Sequence, residues 1–181
     1  MSSAFLNGAR LWLFDGQAPG VCPACGFDWG TSPLVAVSLI EQCPARVAEL
    51  LAGRDGMAAG PDGTWNATAY VWHLTDLARG WTERWVQLAA APGSLLVPWD
   101  PDVLAEARNY RQLPTSAALW AIGDSVTTLI ARTATLSLDT PFAHGDWGPG
   151  CVGDALVWLA HEFVHHELDV SVRAVAPPAA D

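Results

Sequence analysis

The apolar positions of the chain fall into four long stretches of helical period, separated by Gly- and Pro-rich connections. Within residues 66–91, Tyr70, His73, Leu77, Trp81 and Leu88 fall on one face of a helix. That face directs His73 inward. Asn66 predicts the N-cap, and Pro92 with Gly93 predict the end. A first stretch, 33–53, opens at Pro33, suited to a first helical position, and closes at Gly53, suited to a C-terminal cap. Pro44 inside it predicts a break or kink near Cys43. The third stretch, 115–136, follows Pro114 and a short helical piece near 102–110. The fourth, 152–175, ends before Pro177 and Pro178. Alternating β-branched runs bounded by turn signals are missing, so strands are not expected. The connection over 92–114 is long enough to run the length of a bundle and let the flanking helices lie parallel. The pattern predicts an all-α fold: a four-helix bundle with a long crossover between its second and third helices. An irregular Cys-containing N-terminal arm over 1–30 precedes the bundle over 31–175, and a tail over 176–181 follows it.

Composition narrows the function. A chain of 181 residues suits one domain. With 51% hydrophobic and 15% charged residues, disorder is excluded. The formal net charge is −10, and all nine basic residues are Arg. With no basic stripe, neither a nucleic acid nor an anionic membrane is a fitting partner. No apolar run approaches a bilayer span, and the start MSSAFLNGARLWLFDG lacks the apolar stretch of a signal peptide, so a cytoplasmic location is expected. Ten Trp read first as a Trp-rich core, the alternative being that some of the indoles wall a ligand pocket.

The candidate chemistry lies in five histidines: His73, His144, His161, His165 and His166. Three belong to H-E-F-V-H-H, 161–166. Positions i and i+4 of a helix lie about 40° apart, so His161 and His165 present two imidazoles on one face, a good clamp for a divalent ion. His166 points about 100° away from it. His73, on the inward face of another helix, is the third candidate ligand, since bundle metal sites are built from facing core positions. Three His with an open position make a catalytic pattern. The same letters match H-E-x-x-H, in which Glu162 is the general base of a hydrolase. The wider metzincin pattern fails, with Leu168 and Ser171 where Gly and His belong. Asp76 and Asp169 follow His73 and His165 as candidate acceptors that orient an imidazole, or as solvated helix charges. Glu162 and His166 form a separate i,i+4 pair. The run C-P-A-C-G, 22–26, looks like half of a zinc-ribbon knuckle. It reads as a plain turn with reduced thiols first. A zinc site completed by Cys43 and Cys151, a site shared between subunits and a redox pair stay open.

The segments W-N-A-T-A-Y-V-W-H-L-T-D (65–76) and G-D-A-L-V-W-L-A-H-E-F-V-H-H-E-L-D-V (153–170) resemble the DinB-like superfamily. They are similar to its actinobacterial branch, related to mycothiol-dependent transferases and maleylpyruvate isomerase. The resemblance covers most of 31–175. It implies a four-helix bundle whose divalent metal is held by His73, His161 and His165. It also implies a metal-activated thiol, that of mycothiol or another low-molecular-weight thiol, acting in an S-transferase or isomerase. A free thiol is mostly protonated at neutral pH, and a divalent cation deprotonates it. The expected substrate is a small apolar electrophile attacked by thiolate or water. Zn is the default ion, and Ni or Fe also suits imidazole. Alternatives are a non-catalytic metal-binding module and a hydrolase with Glu162 as base. A homodimer is an open option.

Overall fold

The computed structural model describes residues 20–60 and 64–175. The expected arm is therefore seen only from residue 20, and the expected tail at 176–181 lies outside the described residues. Four long helices form the bundle: α1 (Pro33–Leu51), α2 (Ala67–Ala90), α4 (Thr115–Thr133) and α5 (Val152–Arg173). A short α3 (Pro101–Arg108) and a 3-10 turn (Tyr110–Gln112) occupy the crossover from α2 to α4. α2 packs against α4 and α5, and α1 packs against α5 and α4. The helix ends follow the local chemistry. Asn66 accepts the Ala69 amide at 2.8 Å, and Ser32 accepts that of Val35 at 3.4 Å with Pro33 in the first turn. Gly53, just past the end of α1, has φ +67°, the left-handed geometry that closes a helix.

Two expectations are corrected. Pro44 does not divide α1, which runs unbroken from Pro33 to Leu51. Its buried face, Ala36, Ile40, Cys43, Val47 and Leu51, seats it in the core. Arg46 donates to the Leu39 carbonyl at 2.7 Å, close to where the proline removes a backbone donor. Strands, which were not expected, form a three-stranded sheet. β1 (Leu95–Leu96) pairs parallel with β2 (Pro141–His144), which pairs antiparallel with β3 (Gly148–Cys151). β3 reads Gly-Pro-Gly-Cys and carries no strand-favouring side chain; packing decides it. A Cβ on Gly150 would stand 2.9 Å from the Phe142 ring, so only glycine lets the strand lie there.

The core is mostly aliphatic, with large indoles set in it. Trp81 and Trp85 are fully buried, and the Trp85 indole donates to the Thr133 hydroxyl at 3.0 Å. Asp76, buried on α2, accepts from Arg108 and from the Tyr110 hydroxyl, with Arg79 at 3.6 Å. This carboxylate pins α3 and the 3-10 turn onto α2 and takes no part in orienting His73. Among the described residues no helix is long and apolar enough to cross a membrane.

Candidate metal centre

α5 presents two ligand pairs, staggered by one residue and therefore rotated by about 100° from each other. The pair His161 and His165 meets Cys22 and Cys25, and the four donor atoms lie within 4.8 Å of one another. The pair Glu162 and His166 meets His73 of α2, again with donor atoms within 4.8 Å. The structure thus divides the predicted triad of His73, His161 and His165 between two clusters. The Cys turn covers the 161/165 face of α5, while α2 brings His73 to the 162/166 face, where the His73 and His166 rings stand 4.8 Å apart, edge to face. His166 does lie off the His161 face, as its spacing predicts, but it faces another cluster and not solvent.

Glu162 sits between the clusters. Its Oε1 is 3.2 Å from His161 Nδ1 and its Oε2 is 3.6 Å from His166 Nε2. A zincin base serves an open position beside its two histidines. Here Cys22 and Cys25 occupy the remaining sides, and the arrangement does not support Glu162 as that base. Asp169 does orient an imidazole, but that of His166: it accepts from Nδ1 at 2.9 Å and is gripped by Arg173 at 2.7 Å. This leaves Nε2 of His166 aimed at Glu162.

The charges in the His73 cluster are set by neighbours. Burial pulls His166 down, but its hydrogen bonds to Asp169 and Glu162 outweigh this and hold it up at about 9. Burial, helped by the positive His166, brings His73 down to about 4. Burial pushes Glu162 up, yet His161 and His166 outweigh it and take the carboxyl to about 2. In the other cluster burial raises the Cys22 thiol. The Cys25 amide, His161, the Ala24 amide and His165 more than reverse that and bring it to about 6.

The His73 cluster opens on a cavity. His73, Glu162 and His166 line a space of about 500 Å³ together with Trp65, Trp99, Trp147 and Trp158. His144 stacks on Trp147 with ring centres 3.8 Å apart, and Arg84 and Arg111 also reach the wall. Of the indoles near the histidines in sequence, Trp158 walls the cavity, whereas Trp72 and Trp81 pack with the core. Two imidazoles and a carboxylate are a fitting donor set for a divalent ion, and a neutral His73 beside an ionised Glu162 is in the ligating state. The sequence held the signal for Glu162 and His166, since E-x-x-x-H has the same helical spacing as H-x-x-x-H.

No family model and no curated protein matches the chain. A solved structure does. YfiT from Bacillus subtilis is described as a probable metal-dependent hydrolase with an unusual four-helix bundle topology. It aligns with 78% of this chain and 86% of its own, with a TM-score of 0.66 and 20% identity. At that identity the likeness is one of fold: the chain has a four-helix bundle similar to that of YfiT, as the DinB-like resemblance implied.

Proposed function

We propose that the chain is a metal-dependent enzyme whose centre is His73, Glu162 and His166, acting on a small apolar electrophile held in the aromatic cavity. The observation that carries this reading is the convergence of those three donors in the wall of a cavity lined by four indoles. A divalent ion there supplies Lewis acidity, which favours the anionic form of a thiol or water nucleophile. The chain's own residues do the rest. Asp169 fixes the tautomer of His166, and Arg173 fixes Asp169. The four indoles keep water from the substrate and lower the local dielectric, which strengthens every charge effect inside. Arg84 and Arg111 offer cationic contacts to any anionic group of the substrate.

The thiol reading, an S-transferase or isomerase using mycothiol or a related small thiol, rests on the resemblance of 65–76 and 153–170. A hydrolase reading is favoured by the description of YfiT. Titration separates them. Adding such a thiol to the cobalt-exchanged protein should strengthen sulfur-to-metal absorption and release a proton, and His73→Ala should abolish both changes. A thiol-independent hydrolysis that metal removal stops, with no thiol-induced band, replaces the thiol reading with the hydrolase.

A further inference from the structure

We propose that Cys22, Cys25, His161 and His165 form a second metal site, a closed four-ligand zinc site that fastens the Cys turn to α5. The geometry is that of a tetrahedron. Zn–S of about 2.3 Å and Zn–N of about 2.0–2.1 Å put S and N about 3.6 Å apart at a tetrahedral angle. Cys22 Sγ lies 3.7 Å from His165 Nδ1, and all four donors fall within 4.8 Å of one another.

The turn is built to present both thiols on one side. The Cys22 carbonyl accepts the Gly26 amide at 2.8 Å, and the Cys22 amide donates to the Phe27 carbonyl at 2.8 Å. Gly26 takes φ +74°, which favours glycine there. The second observation is an orphaned atom. His161 Nε2 is buried with no hydrogen-bond partner, while its Nδ1 is held by Glu162 at 3.2 Å. A carboxylate on Nδ1 leaves the Nε2 lone pair free, as in a carboxylate–histidine–zinc arrangement. Phe27 and Trp29 close over the site, their ring centres 5.6 and 4.3 Å from that of His161. Two thiolates and two neutral imidazoles fill a tetrahedron and neutralise the ion, so the site is structural and separate from the cavity. The other cysteines are engaged elsewhere. Cys151 caps α5 through Asp154 at 3.3 Å, and Cys43 is buried within α1.

The test uses the whole chain, purified under reducing conditions. Zinc-saturated protein should hold about two equivalents, and His73→Ala about one. Cobalt-exchanged protein should show sulfur-to-cobalt absorption without added thiol. His73→Ala should keep that band, and the Cys22→Ser/Cys25→Ser pair should lose it. The serine pair removes the arm's anchor, so the unaltered chain supplies a second readout. With zinc bound, Cys22 and Cys25 should be alkylated by iodoacetamide about tenfold or more slowly than after chelation. Cobalt protein without the band, alkylation rates indifferent to chelation, or a Cys22–Cys25 disulfide in zinc-saturated protein each overturns the site. Loss of the cavity's metal in His73→Ala bears only on the proposed enzyme, so the two readings fail separately.

Discussion

His73 and His166 face each other across 4.8 Å and hold different charge states at neutral pH, neutral and positive. His73 is already neutral and ready to ligate. His166 keeps its proton up to about pH 9 and must give it up to bind through Nε2. Metal uptake at the cavity should therefore release about one proton at pH 7–8, and affinity should rise about tenfold per pH unit up to about pH 9, then level off. Calorimetry in buffers of different ionisation enthalpy measures both. Asp169→Asn removes the charge that orients His166. It should weaken metal binding about 10–100-fold in chelator competition while leaving the helical circular dichroism unchanged. At this scale the sequence was informative about donors and silent about partners. The letters of H-E-F-V-H-H define two staggered ligand pairs. Which pair meets His73 depends on the rotation of α5 against α2, and no local pattern encodes that.

Among the elements, the long helices were legible because their apolar stripes and caps agree: Asn66, Pro33 and Gly53 each sit where their chemistry places them. The small sheet was illegible because Gly148–Cys151 has no strand propensity, and its pairing is set by the close approach of Gly150 to Phe142. Pro44 does not break α1 for a related reason, since the packing of the helix outweighs one local breaker. The crossover hangs on Asp76, the buried carboxylate that receives Arg108 and Tyr110. Asp76→Asn should cost about 2–3 kcal/mol in urea unfolding, because hydrogen bonds to a buried charge are lost or weakened. It should also loosen the cavity rim, since α3 and the segment that follows it carry Asp102 and Arg111 of the wall. A higher KM in the same variant would report that loosening.

For the whole molecule, two histidines make the stability of the metal-free state depend on pH. The folded pKa of His73 is lowered, so the unfolded chain binds the extra proton, and stability is withdrawn as pH falls from 6.5 towards 4. That of His166 is raised, so its contribution is full below 6.5 and is lost as pH rises through 9. Each amounts to something on the order of 3 kcal/mol. Urea midpoints of the metal-free protein should fall as pH drops from 6.5 towards 4, whereas above 6.5 the loss at His166 is opposed by the Cys22 thiol, held down at about 6, whose contribution grows up to pH 9. The docking of the Cys turn on α5 also carries a consequence for biosynthesis. A ribosome releases Cys22 and Cys25 long before His161 and His165, and joining them closes a loop over nearly the whole bundle. Until α5 has been made the nascent chain therefore carries an open dithiol, and the arm can settle only once that helix has emerged. A reducing milieu and available zinc then matter most over the interval between the synthesis of the Cys turn and that of α5.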